Sequence, residues 1–187
     1  MPAPLELINR ELWIVTSADG TRRGGLVATW VSVASLDPEK PILLAGLAPN
    51  HFTTELVQNS KRFAAHLLRP DQVDLAWNFA KDSGRARDKL AGLNLTTAET
   101  GAPILADCLA WFDCQIFNRY KTGDRNFFWA DVLASERADA NVTPLREQEF
   151  FRGLTTDQKQ VLAAARSADT ATLKPAHDEW KNQLRGI

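Results

Sequence analysis

Along the first part of the chain, apolar positions come in short, β-branched runs separated by turn residues, a pattern that predicts strands rather than helices. Leu12-Trp-Ile-Val-Thr16 leads into Ser17-Ala-Asp-Gly20, a turn of the Asp-Gly type. It therefore predicts one arm of a hairpin, whose partner runs from Gly24 to Ser35 and stops at Asp37-Pro38, where proline offers no N–H for pairing. Ile42 to Ala48 is nearly all apolar and predicts a third strand buried on both faces. After Pro49 the period lengthens: Phe52, Leu56 and Val57 fit a short helix capped by Asn50 or Thr53. Phe63-Ala-Ala-His-Leu-Leu68 predicts a further strand.

Pro70-Asp71 opens a helix with the apolar stripe Val73, Leu75, Ala76, Trp77, Phe79 and Ala80, and Arg85 to Leu90 reads as one more short helix ended by Gly92. From Ile104 to Phe117 strand periodicity returns, with Cys108, Ala110, Phe112, Cys114 and Ile116 on the more apolar face. Lys121-Thr-Gly-Asp124 forms a turn, and Asn126 to Leu133 returns as the last core strand. Beyond Pro144 the pattern is helical: Leu145 to Phe151, Asp157 to Arg166 with Thr155 and Gln158 in capping-box spacing, and Ala171 to Leu184 with Pro175 at its first turn or a kink. Consecutive strands joined by tight turns are antiparallel, so the order predicts an α+β, mainly β fold. It is a small antiparallel barrel with short inserted helices and a C-terminal helical extension, divided as a barrel domain over 1–140 and the extension over 141–187.

Composition narrows the partners. A chain of 187 residues, 44% hydrophobic and 24% charged, is sufficient for one globular core. Its net charge of -1, with no basic or acidic tail, argues against nucleic acid or an anionic membrane surface as partner. No run approaches the roughly 20 apolar residues of a membrane helix, and the N-terminus carries no secretory pattern. Cys108 and Cys114, six apart in what reads as one strand, lie roughly 20 Å from one another at about 3.3 Å per residue, too far for a disulfide. Two reduced thiols point to a cytoplasmic protein. Neither has a ligand partner at metal spacing.

The stretch Gly25 to Thr54 carries most of the candidate chemistry. Thr29, Ser32 and Ser35 recur every third residue, which in a flat strand puts Thr29 and Ser32 on opposite faces; they are either a solvated strand face or, with a bulge, one hydroxyl cluster. Trp30 is a core or interface aromatic, or a stacking platform. Asn50-His51-Phe52-Thr53-Thr54 is either an ordinary helix start or an anion site built from N–H groups and hydroxyls. Lys89 is either a solvated charge or a countercharge. G-x-G-x-x-G, P-loop and G-x-S-x-G patterns are absent, and no catalytic acid or base is assigned to any side chain.

Gly25-Leu-Val-Ala-Thr-Trp-Val-Ser-Val-Ala-Ser-Leu-Asp-Pro38 is similar to the G-M-T-A-S-W-V-T-Q-V-S-F-D-P pattern of the flavin reductase family of FMN-binding split barrels. Phe63 to Leu68 resembles that family's F-A-V-N-V-L strand, and Asp88-Lys-Leu-Ala-Gly92 its D-K-F-A-G segment. Gly101-Ala-Pro-Ile-Leu and Leu109 to Cys114 resemble its G-x-P-x-L and A-L-A-x-x-E-C pair. The resemblance spans about Leu12 to Glu136 and implies a split antiparallel β-barrel. It implies FMN bordered at its ring and ribityl chain by Ala28, Thr29, Trp30 and Ser32. Ser35, Asn50, His51, Thr53 and Thr54 would hold the ribityl or phosphate end, and Lys89 would lie near the phosphate. It also implies a homodimer with flavin at the interface and NADH or NADPH as electron donor.

Two departures stand out. Gly123-Asp-Arg125 replaces the family's G-D-H turn, whose His belongs to the nicotinamide side, and Arg125 is left as a contact for a dinucleotide phosphate or a surface cation. Val27 and His66 also replace a hydroxylated residue and an Asn. The expectation is an NAD(P)H-dependent flavin reductase. The alternatives are a non-enzymatic FMN- or haem-binding module, or a flavin electron carrier reduced by a partner protein.

Overall fold

The computed structural model describes residues 3–185. A short 3-10 turn (Ala3–Leu7) precedes β1 (Trp13–Asp19) and β2 (Arg22–Ala28), which form the expected hairpin around Gly20, whose φ of 60° suits glycine. The chain continues through β3 (Val31–Val33), β4 (Ile42–Leu47), helix α1 (Phe52–Ser60), β5 (Arg62–Leu67) and helix α2 (Val73–Ala80). A two-stranded ribbon, β6 (Leu95–Thr96) with β7 (Ile104–Leu105), precedes the long hairpin β8 (Ala110–Lys121) and β9 (Asn126–Arg137); helices α3 (Glu147–Gly153) and α4 (Thr156–Arg185) follow.

Seven strands form one antiparallel sheet in the order β2-β1-β5-β8-β9-β4-β3. The segment expected as one strand from Gly24 to Ser35 breaks at Thr29-Trp30: β2 lies at one edge of the sheet and β3 at the other. Two residues therefore carry the chain from edge to edge, which forces the sheet to curl into a split barrel. Gly46 donates its N–H to the Trp30 carbonyl at 2.7 Å and fixes the crossing.

Strand alternation divides the core in two. Trp13 and Val15 face an interior with Leu26, Leu43, Phe63 and Phe128, while Leu12 and Ile14 face a second cluster with Leu68, Phe79, Leu145 and Phe150. β1 and β5 are thus the strands buried on both sides, whereas in β4 Ile42 and Leu44 are only half-buried. His66, fully buried in β5, approaches the Ile14 carbonyl with Nδ1 at 2.9 Å and accepts from the Leu105 N–H with Nε2 at 3.1 Å. Burial holds its pKa down at about 4, so it is neutral.

Several local expectations are corrected. Cys108 lies before β8 rather than in it. Both thiols are unpaired and deeply buried, which raises their pKa values. Asp113, on the same face of β8 as Trp111, is buried where its carboxylate accepts from the N–H and hydroxyl of Thr100, and the register shift beside it leaves Leu133 of β9 as the extra residue. Arg85 to Leu90 is a turn-rich loop, because Asp82 takes a positive φ and Asp88 binds the Leu90 N–H. Leu145 belongs to no helix: its N–H donates to Leu68 and its carbonyl accepts from Leu12, tying the tail to the barrel.

The two expected final helices are one. The capping box forms as its spacing predicts, with Gln158 N–H on Thr155 Oγ1 at 3.2 Å and Thr155 N–H on Gln158 Oε1 at 2.8 Å. The helix then runs through Pro175. The Ala-rich stretch before that proline contains no glycine to stop it. Gln158, Leu162, Asp169, Leu173, His177 and Trp180 form its half-buried or buried stripe, and most of the remaining surface is exposed.

Candidate functional site

The stripe of α4 roofs a cavity of about 550 Å3 whose floor is β2 and whose walls come from the start of α1, the end of α2 and the loop after it. Glycine makes the floor thin. A Cβ at Gly25 would lie 2.5 Å from the Phe79 ring, and one at Gly24 would lie 3.2 Å from Phe52, so both aromatic rings rest on bare backbone. A second, shallower cavity of about 390 Å3 lies beside it, lined by Trp30, Ser32, Leu44 and Phe127. Thr29 borders both. The break between β2 and β3 is thus the ridge that joins two halves of one trough.

The enclosed half gathers Asn50, His51, Thr53 and Lys89. Lys89 is only 4% exposed. Its Nζ donates to the Phe79 carbonyl at 2.8 Å, and it makes no ion pair among the described residues. Burial, reinforced by the charge of Arg87, pushes its pKa down to about 8. The N-terminus of α1 has no side-chain cap: neither Asn50 nor Thr53 serves as the expected cap, and His51 occupies that position in extended conformation. Asn50 Oδ1 and Thr54 Oγ1 are buried with no partner. A buried cation that forms no ion pair among the described residues, an uncapped helix start and the orphaned Asn50 oxygen leave donors and an acceptor for a ligand with both anionic and hydroxyl groups.

What occupies part of this end is the chain itself. Asn50 Nδ2 donates to Asp169 Oδ1 at 2.7 Å, and His51 Nε2 lies 2.8 Å from Asp169 Oδ2. Arg85 completes the rim, with its guanidinium on the Asn50 carbonyl and Glu55 and 5.5 Å from the Phe52 ring centre. The open half is aromatic. Trp30 is 40% exposed, stacks on Phe127 at 6.1 Å and 15°, and carries the Arg125 guanidinium 4.6 Å over its ring. A Cβ at Gly123 would collide with the Ala176 carbonyl, so α4 lies directly on this turn. His177 Nδ1 stands 3.2 Å from Asp124 Oδ1 and 3.3 Å from the Thr122 carbonyl.

Of the residues singled out in the sequence, Thr29, Asn50, His51, Thr53 and Lys89 meet in the enclosed cavity, and Thr29, Trp30 and Ser32 in the open one. Ala28 and Thr54 are buried beside the trough without lining it, and the Ser35 hydroxyl accepts from the Ile42 N–H at 2.9 Å, which engages it in its own loop. Asp169, His177, Phe79 and Phe127 were not selected as site residues. The two on α4 had no signal in spacing, because a surface carboxylate and a surface histidine on an amphipathic helix look like any others.

A split barrel with a trough along its seam defines the fold. The chain matches the flavin reductase like domain over residues 5–151, and it belongs to that family. Diflavin flavoprotein A 1 of Synechocystis sp. (strain ATCC 27184 / PCC 6803 / Kazusa) is 30% identical over 71% of this chain and 23% of its own length. A protein of Rhizobium meliloti (strain 1021) named probable flavin reductase is 30% identical over 68% of this chain and 40% of its own. The chain therefore spans less than half the length of these relatives. An FMN-binding protein from Thermus thermophilus, crystallised with p-hydroxybenzaldehyde, superposes with a TM-score of 0.67 at 26% identity, over 73% of this chain and 77% of its own.

Proposed function

We propose that the chain is an FMN-binding oxidoreductase that accepts electrons from NADH or NADPH, working as a homodimer with the flavin at the subunit interface. The observation that carries the reading is Lys89: in a member of this family, a buried cation that donates to a carbonyl and forms no ion pair among the described residues borders a cavity at an uncapped helix start. Asn50, His51, Thr53 and Lys89 would hold the phosphate end, with Thr54 buried behind them, while Ser35, engaged in its own loop, takes no part. Ala28, Thr29, Trp30 and Ser32 would border the ring and ribityl chain. Flavin, when bound, supplies the hydride chemistry. The protein orients it, covers its phosphate end under α4 and leaves the aromatic half accessible to a second reactant. Exposed Val33, Phe117 and Leu133 on β3, β8 and β9, with Leu36 in the loop after β3, support pairing with a second copy. Two unbridged thiols support residence in the cytoplasm, and no helix among the described residues is long and apolar enough to cross a membrane.

One observation favours a second reading. The Gly123–Arg125 turn carries no histidine of its own and lies under α4, so a flavin carrier reduced by a partner protein is the alternative. Anaerobic titration of the FMN-loaded protein with NADH and then NADPH decides between them. Loss of the visible flavin absorbance with either nucleotide is expected; a yellow protein that neither nucleotide bleaches is a carrier, and a protein that takes up no FMN refutes both.

A further inference from the structure

We propose that Asp169 sets how strongly this site favours phosphorylated over unphosphorylated flavin, because its carboxylate already occupies the seat that a terminal phosphate needs. The inference rests on the flavin reading above and adds a residue from the helical tail to it. Asn50 Nδ2 and His51 Nε2 each meet one oxygen of the same carboxylate, at 2.7 and 2.8 Å, the way a pair of donors receives two oxygens of an anion. Both donors lie just before α1, whose uncapped first turn also favours negative charge. Lys89 borders the same cavity, donates to a carbonyl and feels the Asp82 carboxylate through space, with no ion pair among the described residues. A phosphate drawn to Lys89 and the helix start therefore arrives beside Asp169 and competes with it for the same donors.

The carboxylate is suited to yield. Asp169 has a side-chain exposure of 37%, so once displaced it turns to water at small cost. The helix that bears it remains anchored on either side by Leu162, packed on the core cluster, and by buried Leu173. A neutral hydroxyl end has no comparable conflict with the carboxylate. Asp169 thus lowers affinity for the phosphorylated ligand selectively.

The test compares FMN and riboflavin binding, by quenching of flavin fluorescence, to the full chain and to Asp169→Asn, which keeps the shape and one acceptor oxygen but removes the charge. The FMN dissociation constant is expected to fall about tenfold, the scale of one unit-charge repulsion near a protein surface, while that for riboflavin stays within about twofold. Equal changes for both ligands, or none, overturn the proposal. If neither flavin binds either protein, the flavin reading fails by itself, and a second measurement still decides this one. The His51 ring resonances of the unmodified chain should shift in excess inorganic phosphate relative to chloride of equal ionic strength, with a midpoint at about tenfold higher phosphate concentration than in Asp169→Asn. Identical spectra in the two salts, or equal midpoints in the two proteins, also overturn the proposal.

Discussion

The two halves of the trough share Thr29 but meet their chemical needs in opposite ways. The enclosed half buries polar groups without completing their partnerships: Lys89 donates to a carbonyl and forms no ion pair, and Asn50 Oδ1 has no hydrogen-bond partner, among the described residues. The open half is already satisfied. Trp30 has Phe127 beneath it and Arg125 above it, and Arg125 also donates to the Asp124 carbonyl at 2.6 Å. Deficits buried in a fold are expensive, so they mark where a ligand is held; a self-sufficient aromatic ledge marks where a second molecule comes and goes.

Removing Phe79 should damage the enclosed half most. It is 1% exposed and its ring rests on Gly25, so Phe79→Ala, which keeps the main-chain carbonyl that Lys89 uses, should cost about 3–5 kcal/mol in urea unfolding. Trp30→Ala, at the open end, should cost much less. Acid should test the barrel independently of either half. The pKa of His66 is about 4 in the folded chain against 6.5 unfolded, so the unfolded state binds more protons in that window. Stability should fall, on the order of 3 kcal/mol in all, as pH drops from 6.5 through 4, and His66→Asn should flatten the profile.

Lys89→Met should weaken FMN binding by about 1.5–3 kcal/mol in calorimetry and leave riboflavin nearly untouched. The same lysine gives a pH contrast between empty and loaded protein. Its pKa is lowered to about 8, so the penalty of burying its charge is fully present below pH 8 and is relieved as pH rises from 8 to 10.5; the empty protein should gain stability there. FMN affinity should move the other way, falling as the ammonium is lost above pH 8. The smallest effect is expected at the open half: Arg125→Ala should change the KM for reduced nicotinamide by about 0.5–1 kcal/mol, with FMN affinity unchanged. A larger effect on FMN than on the nicotinamide would erase the distinction between the halves.

The local pattern made much of this legible. The Asp19-Gly20 hairpin, the Thr155–Gln158 box and the convergence of Asn50, Thr53 and Lys89 follow from turn chemistry, capping and the family's order of motifs. The crossing at Thr29-Trp30 was hidden because β2 and β3 are both extended, and strand periodicity does not register that pairing has passed to a different neighbour. The fused α4 was hidden because Pro175 fits a first turn as well as an interior. Asp169 was out of reach for a different reason: it meets His51 across 118 positions of sequence, and only the docking of the whole helix selects it.

The edge-to-edge link has a consequence for the barrel's girth. Two residues span no more than about 10 Å with their junctions, so Thr29-Trp30 works like the buckle of a belt, fixing at that end how far the sheet's free margins stand apart. Residues inserted there would let the belt out by a notch and widen the trough while leaving each strand ladder paired as before. Trough width is in this sense written in the length of one short link, separately from the packing that keeps the barrel folded.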